Sequence, residues 1–400
     1  MQIENSIYNM HKYINRQIED FVKENMEVFP AVLITGPRQS GKSTFVKKLA
    51  KDIDAFVYLD LQDRNDLAKL TEPGLFFETN REKTICLDEI QLVPDLFSIL
   101  RSEIDKNRQN GRFILLGSAS RDLIQKSSES LAGRIGVVEL TPFTLPELKK
   151  ESDFDVKRFW LRGGYPESYL ARTDSASSIW RENFLRTYTE RDIPQLGFQI
   201  PAIQINRMLQ MCAHVHARIF NASKLGESLG LTHPTVKRYL DLLEQTFILR
   251  SLHPYEANTK KRLVKSPKVY FRDSGLLHRI LQLDDFNDLL GHPVFGPSWE
   301  GLVIENIITC FPEWKYSFYR SATGDEIDLI MQRKRTTIAI ECKASTAPKL
   351  NKGFTRAYEI VKPSLTLVIA PVSEKYPIKK DTYVCGIMDA IEMIKKNFNF

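Results

Sequence analysis

The sequence predicts an α/β protein in which two α/β regions flank a helical middle. Short apolar runs bounded by turn residues alternate with helical periodicity early in the chain, a pattern typical of a parallel sheet covered by helices. Helical periodicity follows, and strand-like runs return near the carboxyl terminus. At 400 residues the chain exceeds what one hydrophobic core usually organises. We predict four segments: an α/β region, 1–150; a helical lid or linker, 151–200; a helical module, 201–282; and a second α/β region, 283–400.

The composition, 42% apolar and 26% charged, is that of an ordinary folded soluble protein. No run approaches the ~20 apolar residues of a membrane-spanning helix, and the amino-terminal MQIENSIYNMHKYINRQIEDF has no apolar signal core. We therefore expect a cytoplasmic protein without a membrane partner. The five cysteines are far apart in the sequence, which argues against structural zinc and a disulfide framework.

Positive charge is concentrated in one segment of the chain. Between His216 and Asp273 there are eleven Lys or Arg residues against five Asp or Glu, which accounts for the whole net charge of +6. A polyanion is attracted to such a concentration of charge. We therefore expect a polyanion partner to contact this segment, and we expect DNA to contact residues 216–273 and the carboxyl-terminal α/β region.

The segment GPRQSGKST joins the apolar run AVLIT to the helical run FVKKLAKD. It fits GxxxxGKS with a strand before it and a helix after it, the context in which this pattern is a phosphate-binding loop. Its glycines allow backbone amides to face phosphate oxygens, and the helix start adds partial positive charge. We expect Lys42 to reach the outer phosphates and Ser43 to bind Mg²⁺. The predicted nucleotide-binding residues are Gly36, Pro37, Arg38, Gln39, Ser40, Gly41, Lys42, Ser43 and Thr44.

A second apolar run, TICLDE, ends in two acids, Asp88 and Glu89. We expect Asp88, at the end of a strand neighbouring that of the loop, to help hold Mg²⁺, and Glu89 to act as general base toward the attacking water. The chain contains no NKxD guanine-binding motif and no DxxG after Asp88, so the sequence favours ATP over GTP. The run RFILLGSAS places Ser118 at another strand end, where it either contacts the γ-phosphate or the water, or only caps a helix.

Residues 221–245 predict two helices around a short turn. Asn221 is placed to cap the first helix, Gly230 to end it and Pro234 to begin the second. The buried face of the second helix is predicted to consist of Val236, Leu240 and Leu243. This is the helix-turn-helix plan of DNA-binding modules, although related modules also serve as protein contacts or intramolecular lids. A wing that neutralises DNA phosphates is predicted after it, with the residues Lys260, Lys261, Arg262, Lys265 and Lys268.

Two strand-like runs near the carboxyl terminus, TGDEIDLIMQ and TIAIEC, are separated by the polar turn RKRT. A hairpin centred in this turn places Asp328 opposite Glu341, with Cβ atoms ~5 Å apart. Two carboxylates so close favour a Mg²⁺ ion between them, and Glu300 on the preceding helix completes the predicted ligands. Lys343, on the same face, is predicted to stabilise charge on a scissile phosphate or to position water. Glu305 faces about 140° away around the helix and is not expected to join.

The spacing from Asp328 to the pair Glu341 and Lys343 resembles the restriction-endonuclease-like nuclease core. A QxxxY element often follows in related nucleases, and here Tyr358 is present but Phe354 stands in place of glutamine. The site is therefore either a metal-dependent nuclease or a degenerate site kept for shape or nucleic-acid docking.

The motifs GPRQSGKST, LDEIQ, LLGSAS, SLAGR and PFTLPEL, followed by RGGYPES and YTERDI, together resemble a family of bacterial and archaeal AAA-type ATPases. The resemblance runs in order along essentially the whole chain. It implies a P-loop NTPase domain, a winged-helix module and a carboxyl-terminal restriction-endonuclease-like domain. It also implies that Arg134 and Arg191 contact the nucleotide or an interface, with Arg134 a finger-type arginine acting in cis or on a neighbouring subunit of a homo-oligomer.

Three functions agree with these patterns. The first is an ATPase whose nucleotide cycle rearranges a DNA-binding, nuclease-like tail, in DNA processing or in defence against foreign DNA. The second is a nucleotide-dependent switch that assembles with protein partners, with a tail that only binds. The third is a DNA-binding regulator that senses ATP with little turnover. Because the acids Asp88 and Glu89 are suited to hydrolysis, they favour turnover over sensing alone.

Overall fold

The computed structural model describes residues 13–117, 129–255 and 264–398. The chain divides into two units, an amino-terminal unit of residues 1–143 with 245–247 and a carboxyl-terminal unit of residues 144–244 with 248–400. Four residues that the sequence singled out lie outside the described residues: Ser118, Lys260, Lys261 and Arg262.

A five-stranded sheet forms the centre of the amino-terminal unit. Its strands are β1 (Ala31–Thr35), β2 (Phe56–Asp60), β3 (Thr84–Asp88), β4 (Phe113–Gly117) and β5 (Ile135–Glu139). They pair in parallel in the order β2-β3-β4-β1-β5. Every residue of β1 and β4 is buried, which explains their continuous apolar runs. The parallel sheet predicted from the sequence is confirmed.

Two clusters of buried side chains lie on the two faces of this sheet. Leu33 and Phe77 belong to one cluster, and Ile34 and Phe45 belong to the other. Successive residues of β1 thus serve opposite faces, as strand geometry requires. The helices of the unit are α1 (Glu19–Val28), α2 (Lys42–Leu49), α3 (Arg64–Ala68), α4 (Pro73–Thr79) and α5 (Leu96–Lys106), with 3₁₀ turns at Ala50–Asp52 and Ile90–Leu92.

One expectation about this sheet is wrong. The strand that ends in Asp88 was expected to neighbour the strand that precedes the phosphate-binding loop, but β4 lies between them. β1 pairs with β4 and β5, whereas β3 pairs with β2 and β4. Strand order in a parallel sheet depends on how the connecting helices cross over, which apolar periodicity does not encode.

Helices fill the first part of the carboxyl-terminal unit. They are α6 (Leu145–Leu148), α7 (Val156–Arg162), α8 (Pro166–Tyr169), α9 (Asp174–Thr187), α10 (Ile193–Gln195) and α11 (Ala202–His214), with a π-helical turn at Tyr188–Asp192. The buried guanidinium of Arg181 donates to the carbonyl oxygens of Leu161 at 3.1 Å and Gly275 at 2.8 Å. The helical interpretation of this region is confirmed, with α7 ending before Gly163.

Two helices and a small antiparallel sheet form the basic middle segment. They are α12 (Ala222–Leu229), α13 (His233–Gln245), β6 (Arg218–Ile219), β7 (Leu249–Leu252) and β8 (Lys268–Phe271), with strand order β6-β8-β7. Asn221 Oδ1 accepts from the N–H of Lys224 at 3.0 Å, and Gly230 ends α12 with a φ of 67°, so both predicted caps are confirmed. The predicted apolar face of α13 is buried, through Val236, Leu240 and Leu243.

A six-stranded mixed sheet completes the carboxyl-terminal unit. Its strands are β9 (Lys315–Arg320), β10 (Glu326–Arg333), β11 (Thr336–Cys342), β12 (Leu365–Ile369), β13 (Tyr376–Lys379) and β14 (Thr382–Cys385), in the order β13-β14-β12-β11-β10-β9. The accompanying helices are α14 (Ser274–Ile280), α15 (Phe286–Gly291), α16 (Phe295–Cys310), α17 (Lys352–Val361) and α18 (Ile387–Phe398). Arg333 pairs with Thr336, which confirms the predicted centre of the β10–β11 hairpin.

The segment LDDFNDLLGHPVFGPS, residues 283–298, is rich in Asp, Gly and Pro, which predicts a linker, and this prediction is wrong. The segment contains α15 and the start of α16. The carboxylate of Asp285 accepts from the N–H groups of Asn287 and Asp288 at 2.8 Å, so it caps α15. Leu289 is fully buried. Burial of one apolar side chain and a cap therefore stabilise a helix that the Asp, Gly and Pro content disguised.

Helix α16 runs through the carboxyl-terminal unit with Trp299, Val303 and Ile307 buried. Its 16 residues fall short of the ~20 that cross a bilayer. Among the described residues, no helix is both long enough and apolar enough to span a membrane.

Candidate functional site

The phosphate-binding loop connects β1 to α2, and its backbone requires glycine at two positions. Gly36 has a φ of 146°, and a Cβ there would lie 2.1 Å from the carbonyl oxygen of Leu140. Gly41 precedes α2 with a φ of 95°. Because residues with a side chain rarely adopt these conformations, only glycine lets the chain turn here and expose amides at the helix start.

Lys42 is buried in this loop, with 7% of its surface exposed. Its ammonium donates to the carbonyl oxygens of Gly36 at 2.9 Å and Pro37 at 2.8 Å. Burial lowers the pKa of Lys42 to about 8, against smaller opposing effects of the charges on Glu89 and Asp88. A phosphate would be a stronger partner than these two neutral carbonyls, because its full negative charge attracts the ammonium in addition to the hydrogen bond.

Asp88, at the end of β3, collects three hydrogen bonds. The Ser43 hydroxyl donates to Asp88 Oδ2 at 2.6 Å, the Tyr58 hydroxyl donates to the same oxygen, and the N–H of Glu89 donates to Oδ1 at 2.9 Å. Burial and the charge of Asp88 raise the pKa of Tyr58, so this hydroxyl remains a donor. The structure thus brings together Ser43 and Asp88, the two residues of the amino-terminal unit that were predicted to hold Mg²⁺.

Glu89, the predicted general base, has a φ of 57°, which is uncommon for a residue other than glycine. Its carboxylate accepts a hydrogen bond from the side-chain amide of Gln91. Such a backbone conformation costs on the order of 1 kcal/mol and is found most often at functional sites. The turn it produces separates Glu89 from the strand that carries Asp88.

Three further residues were predicted to contact the nucleotide or an interface: Ser118, Arg134 and Arg191. Ser118 lies outside the described part of the chain, directly after Gly117, whose strand pairs with the end of β1 at Thr35. Arg134 donates from Nε to Asp105 Oδ1 at 2.6 Å, so its guanidinium is engaged with a side chain of α5. In the carboxyl-terminal unit, Arg191 is exposed in the π-helical turn.

Sequence reasoning missed two residues of this site. Tyr58 reaches Asp88 because β2 and β3 are adjacent. Arg16 is 6% exposed and donates to the carbonyl oxygens of Ser40 at 2.9 Å and Pro142 at 3.3 Å, so it supports the back of the loop. Neither residue belongs to a recognisable pattern, because both depend on which strands and loops become neighbours.

The residues present fit a magnesium nucleoside triphosphate. Backbone amides and an ammonium suit phosphate oxygens, and the paired oxygens of Ser43 and Asp88 suit Mg²⁺. The hydroxyl of Ser40 in the loop is buried and has no hydrogen-bond partner among the described residues. An unsatisfied polar group at this position agrees with a loop that rearranges when phosphate binds.

The second predicted site lies on the β10–β11 hairpin. The pairing of Leu329 with Ile340 places Asp328 beside Glu341, as predicted. Asp328 Oδ2 accepts from the N–H of Cys342 at 2.9 Å, and Glu341 Oε1 accepts from Lys343 Nζ at 2.6 Å. Glu341 Oε2 is buried and has no partner among the described residues.

Lys268 enters this acidic cluster, which was not expected. The sequence placed it in an exposed wing, and that prediction is wrong because Lys268 is only 2% exposed. Its ammonium lies 2.9 Å from Glu300 Oε1, 2.7 Å from Glu326 Oε1 and 3.5 Å from Asp328 Oδ1. Within the residues that the structure covers, no group of three or more His, Cys, Asp or Glu side chains is arranged to hold a metal ion.

Burial and the neighbouring charges together determine the protonation of this cluster. Burial and the charge of Asp328 raise the pKa of Glu300 to about 7 and raise that of Glu341 well above its ordinary value. Burial opposes the charge on Lys268, but the charges of Glu300 and other cluster groups outweigh it and raise the pKa of Lys268. The ammonium is therefore retained, while the carboxyl groups of Glu300 and Glu341 are more easily protonated than an ordinary glutamate.

A second ion cluster involves α16, the helix that also carries Glu300. Glu305 accepts from Arg250 Nε and from Arg272 Nε, both at 2.7 Å, and takes no part in the acidic cluster, as predicted. Of the eight basic residues of the segment 216–273 that the structure describes, three form ion pairs inside the unit: Arg250, Lys268 and Arg272. The basic side chains exposed in this segment include Arg218, Lys224, Lys237, Arg238 and Lys265.

Three family models match consecutive parts of the chain. Residues 28–149 match a model described as AAA domain. Residues 153–287 and 295–390 match two models described as domains of unknown function, DUF8612 and DUF4143. The phosphate-binding loop and the pair Asp88 and Glu89 fall within the AAA match.

Two curated relatives match over most of their length. The uncharacterized proteins Mb2031c of Mycobacterium bovis and Rv2008c of Mycobacterium tuberculosis are each 36% identical over 362 residues, covering 90% of this chain and 81% of the relative. Among solved structures, the Walker-type ATPase of Pyrococcus abyssi is 15% identical, with a TM-score of 0.46, covering 67% of this chain and 96% of that chain.

Proposed function

This chain belongs to the family of the two mycobacterial proteins and carries an AAA-type ATPase domain, and we propose that it binds Mg²⁺-ATP at the phosphate-binding loop and hydrolyses it. The observation that carries the proposal is the 2.6 Å contact between Ser43 and Asp88. It joins the loop to the end of β3, although β4 lies between the two strands. Ser43 and Asp88 would together hold the magnesium ion of a bound nucleotide.

Each protein group has a separate task in this proposal. The loop amides and Lys42 hold the phosphates, and Tyr58 orients the Asp88 carboxylate. Glu89 orients the attacking water and accepts its proton. When bound, Mg²⁺ would offset the charge that develops on the phosphate oxygens. The hydrogen bond to Asp88 holds the Ser43 hydroxyl beside the Asp88 carboxylate, so that these two residues would hold Mg²⁺ together.

ATP titration tests the binding step. In the proposal, the Lys42 ammonium exchanges its hydrogen bonds to two carbonyl oxygens for hydrogen bonds to the phosphates of ATP. Lys42→Ala removes this ammonium, so we expect ATP affinity to fall about 10- to 100-fold, which is the contribution of a charged hydrogen bond. Lys51→Ala, an exposed lysine just after α2, is the matched control and should bind as wild type. Isothermal titration of both variants measures the effect, and equal affinities would contradict the proposed role of Lys42.

ATP binding should also depend on pH above 8. The phosphates favour the ammonium, so the pKa of Lys42 in the complex lies above its value of about 8 in the free protein. The affinity for ATP is therefore highest below pH 8 and falls as pH rises, by at most about tenfold per pH unit. At pH 9, titration in buffers of different ionisation enthalpy should reveal proton uptake on binding, and Lys42→Ala should abolish it.

DNA is the partner that we propose for the basic middle segment. Lys237 and Arg238 are exposed near the start of α13, where helix-turn-helix proteins contact DNA, and exposed Arg218 and Lys224 add positive charge. The second candidate is a nucleotide-dependent switch that binds a protein partner. The internal ion pair between Arg250 and Glu305 favours it, because such pairs reduce the charge available to a polyanion.

A salt series separates the two candidates. Replacing Lys237 and Arg238 together by alanine should weaken duplex DNA binding and reduce the slope of log Kd against log salt by about 2, one unit for each lost phosphate contact. Lys51→Ala/Lys83→Ala, with exposed lysines of the amino-terminal unit, is the matched control. Fluorescence anisotropy measures both. Wild-type protein that ignores DNA at 50 mM salt would rule out DNA and leave the protein partner.

A further inference from the structure

Lys268 is held in the acidic cluster by the strand that carries it. It begins β8, the central strand of the three-stranded sheet, with β6 on one side and β7 on the other. Two residues later on the same face of β8, Tyr270 donates to Glu300 Oε1 at 2.6 Å. Because β8 is paired on both edges, the backbone that carries Lys268 is held in place, and its side chain is buried in the cluster.

The Lys268 ammonium lies where a cation shared by several carboxylates would be expected. It contacts carboxylates from two elements, Glu300 on α16 and Glu326 and Asp328 on β10. These carboxylates would repel one another without a positive charge between them. A fixed ammonium supplies that charge at hydrogen-bond distances, with Tyr270 as a further donor.

A divalent ion does not fit beside this ammonium. Mg²⁺ requires near-octahedral oxygen ligands at about 2.1 Å and usually keeps several waters. Here Glu300 and Asp328 already direct oxygens at Lys268, and Glu341 Oε1 is bonded to Lys343. A second cation among these groups would meet two ammonium charges at close range. The described residues therefore disagree with the metal site that the Asp328, Glu341 and Lys343 spacing predicted.

We propose that Lys268 takes the place of a divalent metal ion among Glu300, Glu326 and Asp328, so that the carboxyl-terminal sheet has a lysine-neutralised cluster instead of a metal-dependent nuclease centre. The cluster then has a structural role, because its ion pairs attach β8 of the basic middle segment to α16 and β10. This inference does not depend on ATP hydrolysis, since every group in it belongs to the carboxyl-terminal unit.

Manganese binding by the full-length protein tests the inference. Free Mn²⁺ measured by electron paramagnetic resonance, without nucleotide, should give the same stoichiometry for wild type and Glu341→Gln. Any weak site at the phosphate-binding loop is common to both proteins and cancels in the comparison. One additional Mn²⁺ in the wild type, lost in Glu341→Gln, would overturn the inference.

Removing the lysine provides the complementary test. Lys268→Met retains an unbranched side chain of similar length and removes the charge, so the carboxylates should now accept Mn²⁺. We expect Mn²⁺ to raise the Tm of Lys268→Met by several degrees, to leave wild type unchanged, and to have no effect once Asp328→Asn is added. A folded Lys268→Met that ignores Mn²⁺ would contradict the exchange of lysine for metal. If this variant does not fold, the comparison of wild type with Glu341→Gln decides the question.

DNA cleavage gives an independent readout. Plasmid and linear DNA incubated with the wild type and Mg²⁺ or Mn²⁺, with and without ATP, should remain intact. Metal-dependent cleavage that Glu341→Ala abolishes would show that a metal reaches the cluster and would refute the inference. A failure of ATP binding in the Lys42 experiments would leave this result unaffected, so the two proposals can fail separately.

Discussion

Glu89→Gln should lower kcat for ATP hydrolysis by about 10²- to 10⁴-fold, the usual contribution of a general base, while ATP binding remains intact. The amide retains the size of the side chain and its hydrogen-bonding partner Gln91 but cannot accept a proton. Because Asp88 still holds Ser43 in this variant, the magnesium side of the site is unchanged. Phosphate release under saturating Mg²⁺-ATP measures kcat, and titration of ATP measures binding.

Glu78→Gln is the matched control for this experiment. Glu78 lies on α4 with an exposed side chain, so the same chemical change there should leave turnover at the wild-type level. If Glu89→Gln hydrolyses ATP as fast as wild type, Glu89 is not the base. If instead the variant loses ATP binding, its role is structural, and the assignment of hydrolysis to this carboxylate fails.

Glu305→Gln should destabilise the carboxyl-terminal unit by about 3 kcal/mol at neutral pH. Burial by itself would raise the pKa of Glu305, but Arg250 and Arg272 outweigh it and lower this pKa from 4.5 to about 2. A carboxylate with a depressed folded-state pKa stabilises the protein above its unfolded pKa, and this stabilisation is lost as pH falls from 4.5 toward 2. A difference of 2.5 pKa units corresponds to about 3 kcal/mol.

Urea unfolding at two pH values measures this effect. All four tryptophans lie in the carboxyl-terminal unit, so their fluorescence reports on that unit. The difference in unfolding free energy between wild type and Glu305→Gln should shrink to about half at pH 3. Glu313→Gln is the control, because its carboxylate makes a 3.7 Å surface pair with Arg333 that is worth at most about 1 kcal/mol. A pH-independent difference would mean that packing, not charge, explains the loss.

Local patterns in the sequence determined much of this protein. The phosphate-binding loop follows from a strand, two glycines and a helix start in direct succession, so Gly36 and Gly41 needed no distant neighbour to be identified. The β10–β11 register follows from the polar turn and strand alternation, which is why Asp328 was correctly placed beside Glu341. The cap at Asn221 is likewise local, because a side chain there bonds an amide three residues later.

Only the tertiary structure decided which distant groups meet. Periodicity shows that a strand is buried but not which strand lies beside it, so the insertion of β4 between β1 and β3 was not predictable. Tyr58 reaches Asp88 through that strand order. Lys268 was assigned to an exposed wing because a lysine near other basic residues is usually solvated. Its burial depends on acids 32 to 60 residues further along the chain. The negative charges of these acids offset the desolvation of the ammonium, and the residues next to Lys268 in the sequence do not supply such a partner.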